Sequence, residues 1–274
     1  MSLRGKVEIF GLTDRGRVRE HNEDFIGSNP ELGLAVLADG MGGLKAGEVA
    51  SAMAVELVTA ELQKKLPRVD SAQDDDVNGY SAESLAICDA ITLANSTIYQ
   101  VAQTQPQCAG MGTTLVTLLF YDNRVTVAHV GDSRLYRYRH GELEQVTSDH
   151  SLIQELIDRG FYTREQARKS ANRNVVTRAL GIAPSVDYDV QEEVALKGDV
   201  FLLCSDGLSD MLEDDDIRDM LRTHGQDLKR AARELVDRAN ENGGKDNVSV
   251  VLAKVQRPFP ERSNWLRRLI SWFD

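Results

Sequence analysis

Three short strand-like runs lie almost end to end in the middle of this chain, and they leave the backbone few choices. Residues 113–121, 124–130 and 135–139 are rich in Val, Thr and Tyr. Asp122-Asn123 alone separates the first two, and a short turn around Gly131-Asp132 separates the next pair. β-Branched and aromatic residues favour extended backbone. Connections this short close only antiparallel hairpins, because a parallel crossover needs about a dozen residues or more. A fourth run, 142–146, follows His140-Gly141 and extends the meander.

The flanking sequence supplies more strands and the helices to cover them. Residues 7–12 read as a strand, and 33–38 form a continuous apolar run stopped by Asp39-Gly40. From 46 to 62, Val49, Met53 and Leu57 recur at helical spacing beside Ala50, Ala54 and Val58, a wide apolar face suited to a sheet. A second helix is expected over 82–103, and 151–182 is polar, helix-like in pieces and irregular. Residues 200–204 read as a buried strand ending in Ser205-Asp206-Gly207, followed by helices over 215–223 and 227–240 and a last strand over 248–255. Helix pairs alternating with meanders predict an α+β fold. Two antiparallel β-sheets pack as a central sandwich flanked by helix pairs, in α/β/β/α layers. Residues 5–255 read as one domain without internal repeats. Pro258 and Pro260 then mark a linker within a 256–274 tail. The tail carries Trp265, Leu266, Leu269, Ile270, Trp272 and Phe273 beside Arg262, Arg267 and Arg268, an amphipathic pattern. Packing on the domain and docking to a partner or membrane surface both remain open for it.

Composition narrows the function classes. Among 274 residues, 32 basic against 43 acidic side chains give a formal charge of −11, which argues against nucleic acid as a partner. Asp74-Asp75-Asp76 reads as a solvated acidic loop. The same stretch opens like a calcium loop, but Leu85 stands where the bidentate Glu is required. Cys88, Cys108 and Cys204 show no CxxC spacing. With no apolar leader and no run long enough to span a bilayer, a cytoplasmic protein is expected.

The chemistry lies in acidic residues placed where elements begin or end: Glu23-Asp24, Asp39-Gly40, Asp206-Gly207 and Asp246-Asn247. Element ends are where a fold can aim distant carboxylates into one cleft. Hard divalent cations such as Mg²⁺ and Mn²⁺ prefer such oxygen ligands. Taken singly, each Asp-Gly is first a turn former. Asp39-Gly40-Met41-Gly42-Gly43 matches neither the Walker pattern nor the dinucleotide pattern, since no Gly-Lys-Ser/Thr follows and Lys45 fills the last glycine slot. No HExxH and no GxSxG occurs.

Six fragments in order carry more than any one of them. Arg19-Glu20-His21-Asn22-Glu23-Asp24, Asp39-Gly40-Met41-Gly42-Gly43 and Gly110-Met111-Gly112-Thr113-Thr114 come first. Gly131-Asp132-Ser133-Arg134, Ser205-Asp206-Gly207 and Gly244-Lys245-Asp246-Asn247 follow. This series resembles the metal-dependent Ser/Thr protein phosphatases of type 2C, the bacterial members above all, over residues 5–255. The resemblance implies hydrolysis of phosphoserine and phosphothreonine in proteins by a metal-activated water at a dinuclear Mn²⁺ or Mg²⁺ centre, set at one edge of the sandwich. It implies that Asp39 bridges the two metals and Gly40 offers its carbonyl to one. Asp206 and Asp246 would hold the other metal. Glu23 and Asp24 would hold metal-bound water or coordinate directly. Asp132, with Asp206, matches a weaker third position. Asn247 would steady Asp246 from behind, and Arg19 would grip the substrate phosphate. The implied partners are phosphorylated Ser/Thr proteins and a cognate Ser/Thr kinase, and the implied state is a monomer. A catalytically silent binding or sensing module is the alternative, and it would be expected to lose these carboxylates.

One departure stands out. Animal relatives place a histidine after the Asp-Gly as proposed general acid, and here Met41 has no proton to give. His129 alternates with Val127 and reads as a packed strand residue, while His150 is kept as a minor candidate donor. Cys204 reads as a buried strand thiol. The stretch 159–181 corresponds to the flap of bacterial relatives. Its Arg164, Arg168, Lys169, Arg173 and Arg178 form either a solvated helix surface or a basic lip for phosphoproteins.

Overall fold

The computed structural model describes residues 3–43, 46–69, 79–163, 166, 170 and 174–260. The meander forms as its turns dictate. β5 (Leu115–Tyr121) and β6 (Arg124–Val130) are joined by Asp122 and Asn123, both at positive φ (38° and 57°). Two left-handed residues in a two-residue loop match the twist of a hairpin. His140 (φ 53°) and Gly141 (φ 92°) do the same between β7 (Arg134–Arg139) and β8 (Glu142–Gln145).

One sheet runs β1 (Val7–Asp14), β11 (Val248–Val255), β10 (Val200–Cys204), β7, β8. The other runs β2 (Asp24–Asn29), β3 (Leu34–Met41), β5, β6, β9 (Asp189–Val194), with the short β4 (Gly112–Thr113) paired to the end of β3. Every strand pairing between these named strands is antiparallel. The period-two alternation of buried strands splits each between two cores. On β3, Ala35 and Leu37 face the sandwich, whereas Leu34, Val36 and Ala38 pack under α1 (Ala46–Lys65) and α2 (Ala82–Thr104). On β10, Phe201 and Leu203 face inward. Val200, Leu202 and Cys204 pack instead under α5 (Asp214–His224) and α6 (Leu228–Glu241). Phe120 sits between the sheets, edge-on to Phe201 at 5.6 Å and to Phe259 at 5.9 Å. The expected α/β/β/α order is therefore present.

Four expectations need correction. β2 and β9 were not anticipated, since both are polar strands at a sheet edge. The expected strand over 113–121 breaks at Thr114 into β4 and β5. A short α4 (Asp206–Ser209) begins at Asp206, where only a strand end was expected, whereas α3 (Leu152–Asp158) falls in the stretch read as helix-like in pieces. The domain is also wider than 5–255. Leu3 and Phe259 are both buried in the sandwich core, and the Phe259 N–H donates to Asn123 Oδ1 at 2.6 Å. The start of the expected linker is thus part of the domain. The rest of the tail, 261–274, lies outside the described residues, as do Arg164, Arg168, Lys169, Arg173 and the Asp74-Asp75-Asp76 run.

Candidate active site

One edge of the sandwich collects the ends of strands from both sheets. The register of the β2–β3 hairpin sets Asp24 opposite Asp39. The β6–β7 turn brings Asp132, the end of β10 brings Asp206, and the lead into β11 brings Asp246 and Asn247. A cleft of about 260 Å³ opens there. Arg19, Glu23, Asp39, Asp132, Asp206 and Asp246 line it, with Gly40, Met41, Thr114, Val176 and Asn247. Asp24 is buried beneath it and is not part of its wall.

Hydroxyls hold this edge in place. Thr114 Oγ1 accepts the Asp39 N–H at 2.9 Å and pairs with Ser133 Oγ at 2.7 Å, so the turn that carries Asp132 is tied to Asp39. Thr113 Oγ1 and the Thr114 N–H both donate to the Asp39 carbonyl, at 2.9 and 2.8 Å. Ser205 Oγ donates to Asp24 Oδ2 at 2.8 Å and accepts the Ser249 N–H at 3.0 Å, which links one sheet to the other. Gly40 is a glycine because α1 starts against it. A Cβ there would sit 2.1 Å from the Gly47 carbonyl oxygen and 2.6 Å from that of Glu23. Glu23 O in turn accepts the Gly40 N–H at 3.1 Å and the Ser51 hydroxyl at 2.5 Å.

Asn247 does more than steady Asp246. Its backbone N–H donates to Asp246 Oδ1 at 2.8 Å, but its side chain grips the 15–23 loop. Asn247 Oδ1 accepts the Glu23 N–H at 2.8 Å, and Nδ2 donates to the carbonyls of Arg15 and His21, each at 2.9 Å. That amide therefore sets where Arg19 and Glu23 stand. Thr114 and Ser205 are the functional residues that sequence reasoning gave no role. A buried hydroxyl carries no signal until its partners are known.

The electrostatics are those of charge without a counterion. Burial pushes the Asp39 and Asp206 carboxyls well above the usual range, and the neighbouring carboxylates push them further. Burial raises Asp24 to about 6 and Asp132 to about 6, and it raises Glu23 as well. Asp24 Oδ1 and Asp206 Oδ1 are buried with no hydrogen-bond partner. Among the described residues lining the cleft, Arg19 is the one cationic side chain, paired with Asp246 Oδ2 at 2.7 Å. It does not reach the deeper carboxylates. Orphaned carboxylate oxygens around a shared cavity are the donor set of hard divalent cations.

Among the described lining residues there is no histidine. His129 is buried with Nε2 2.8 Å from Ser148 O, as a packed strand residue should be. His150 is buried away from the cleft, which removes it as a proton donor to a substrate there. Burial pushes the Cys204 thiol up to about 12, so it is inert. Arg178 is no free basic lip, since its Nη1 pairs with Asp189 Oδ1 at 3.2 Å.

Comparison with known proteins agrees with this geometry. The family described as Protein phosphatase 2C matches residues 15–253. The serine/threonine protein phosphatase PstP of Mycobacterium tuberculosis is 41% identical over 244 residues, covering 89% of this chain. The chain spans 44% of that protein's length. The serine/threonine phosphatase stp of Listeria welshimeri is 36% identical over 245 residues, covering 88% of this chain and 93% of the relative. A solved catalytic domain of PstP in complex with two manganese ions superposes with a TM-score of 0.77 at 36% identity. It covers 90% of this chain and 97% of that one. This chain belongs to the protein phosphatase 2C family.

Proposed function

We propose that this chain hydrolyses phosphoserine and phosphothreonine in proteins at a dinuclear Mn²⁺ or Mg²⁺ centre, in opposition to a Ser/Thr protein kinase. One observation carries the proposal. Carboxylates from both sheets converge on a single cleft and leave buried oxygens without partners. The residues fit two hard ions. Asp39, the Gly40 carbonyl, Asp206 and Asp246 would hold them, Glu23 and Asp24 would hold metal-bound water or coordinate directly, and Asp132 with Asp206 would hold a weaker third ion. When bound, such ions supply an activated water and offset negative charge on the phosphoryl oxygens.

The chain's own groups do the rest. The Arg19 side chain is about half exposed (51%) at the mouth of the cleft. Its planar fork can leave Asp246 for the two oxygens of an incoming phosphate, and charge neutralisation there lowers the barrier to in-line displacement. Asn247 fixes the loop that presents it. Met41 lines the cleft and donates nothing, so the leaving seryl or threonyl oxygen takes its proton from water or from an acidic group of the cleft. Cys88, Cys108 and Cys204 form no disulfide, which suits a reducing, cytoplasmic setting. Among the described residues no helix is long and apolar enough to cross a membrane.

The test is hydrolysis of para-nitrophenyl phosphate and of a phosphothreonine peptide with and without Mn²⁺. Asp39→Asn and Asp206→Asn are expected to lose more than about a hundredfold of the activity. Anomalous scattering from Mn²⁺-soaked crystals is expected to place the ions between these carboxylates. Absence of turnover with any divalent metal would favour a silent binding module instead.

A further inference from the structure

A second constellation lies behind the cleft, against the turn that carries Asp132. His129 on β6, His150 just ahead of α3 and Asp189 at the start of β9 bring their polar atoms within 4.8 Å of one another. The two imidazoles stack, centroids 4.5 Å apart and 24° from parallel. These are donor types of a transition-metal site, yet their hydrogen bonds commit them elsewhere. The Gly131 N–H donates to His150 Nδ1 at 3.2 Å, so the His150 proton sits on Nε2, facing Asp189 Oδ2 at 3.3 Å. Arg178 Nη1 lies 3.2 Å from His150 Nε2 and 3.2 Å from Asp189 Oδ1. A protonated nitrogen beside a guanidinium is no ligand for a cation. The cluster is a clamp.

What it clamps is the Gly131 residue. The His150 N–H also donates to Gly131 O at 2.9 Å, so one residue holds both backbone polar groups of that glycine. Gly131 stands at φ +103°, and a Cβ there would meet Thr114 Cγ2 at 2.6 Å. On its far side Thr114 ties Ser133 to Asp39. The Asp132 turn is thus gripped between Thr114 and His150. The His150 carbonyl also accepts the Thr177 N–H at 2.8 Å, and Ser151 bridges to Val176, which lines the cleft.

We propose that His150 is a positioning residue. Its Nδ1 fixes the Gly131 peptide and so the aim of Asp132, and its backbone couples that turn to the 176–177 segment, whose Val176 lines the cleft. This inference rests on the phosphatase reading above and names a residue that reading does not use. Two variants of the full chain separate the side-chain contacts. In His150→Asn the amide oxygen reaches the place of Nδ1. In His150→Gln the amide reaches toward Nε2 and leaves the Gly131 N–H without an acceptor. His150→Gln is expected to raise the Mn²⁺ concentration for half-maximal hydrolysis about tenfold. It is also expected to weaken Mn²⁺ binding in calorimetry without substrate by a similar factor, while His150→Asn stays within about threefold of wild type. Equal behaviour of the two variants, both impaired or both intact, overturns the proposal. ¹⁵N spectra of the wild type are expected to show His150 as the Nε2–H tautomer, and the Nδ1–H tautomer also overturns it. A wild type without turnover sinks the phosphatase reading instead, and the calorimetry still decides the role of His150.

Discussion

At the scale of single residues, the site is a set of carboxylates held by hydroxyls and one amide. Asp39, Asp206 and Asp246 were legible in the sequence because their order among glycine-marked turns is specific to one family. Thr114 and Ser205 were not, since a buried hydroxyl declares its purpose only through its partners. Asn247 was read as a support for Asp246, which its backbone N–H does contact, but its side-chain grip on Arg15 and His21 was not legible, because that depends on a loop more than two hundred residues away in sequence. Thr114 offers the sharpest check. Thr114→Val keeps the shape but leaves the Asp39 N–H and Ser133 Oγ without their shared partner. Loss of a buried partner costs about 1–3 kcal/mol. The variant is expected to lower the urea unfolding midpoint accordingly and to lower Mn²⁺-dependent turnover, while Thr114→Ser keeps the hydroxyl and most of both. Unchanged stability in Thr114→Val would remove the hydroxyl from the account.

Elements set where those residues can stand. The apolar strands and helices were readable because both faces are buried or because one face repeats at helical spacing. β2 and β9 were not, because each is an edge strand with charged or polar residues along it, a composition that protects an exposed edge from pairing with another chain. β2 nonetheless carries Asp24, and β9 carries Asp189, so the elements hidden from pattern reading hold parts of the chemistry. The junction of β3 with α1 makes a second check. Gly40→Ala drives a methyl into the Gly47 carbonyl, backbone against backbone, where no side chain can give way. Overpacking of this kind costs about 1–3 kcal/mol, or more when the backbone cannot shift. Gly43→Ala, three residues further on, meets nothing within 4 Å among the described residues. Thermal unfolding is expected to show a clear loss for Gly40→Ala and little change for Gly43→Ala. Equal loss in both would mean that the motif needs glycine for flexibility and not for the approach of α1.

For the whole molecule, the sandwich gathers like charges at one end. Asp24 from one sheet meets Ser205 from the other, with Asp39, Asp132 and Asp206 nearby, and the carboxyls of Asp24 and Asp132 stand near 6 against an ordinary value of 3.8. Their folded values lie above the unfolded ones, so between about pH 4 and 6 the folded chain binds more protons than the unfolded chain. The stability contributed by these groups is therefore full below about pH 4 and is lost as pH rises through the folded values. Asp189 and Glu192 are shifted the other way, burial being outweighed by their hydrogen bonds and neighbouring charges, and they lose their contribution as pH falls. The difference between wild type and Asp24→Asn isolates the cleft from those groups. In metal-free buffer Asp24→Asn is expected to match wild type near pH 4 and to exceed it in thermal midpoint above about pH 6, because an amide carries no charge to repel Asp39. Saturating Mn²⁺ is expected to reverse the order at pH 7. Wild type then gains the binding free energy of the ions, which grows by ~1.4 kcal/mol per tenfold of free metal over its dissociation constant, and the variant gains less of it. If Asp24→Asn instead trails wild type at every pH without metal, the carboxylates are not in conflict, and the cation is not what joins the two sheets at this edge.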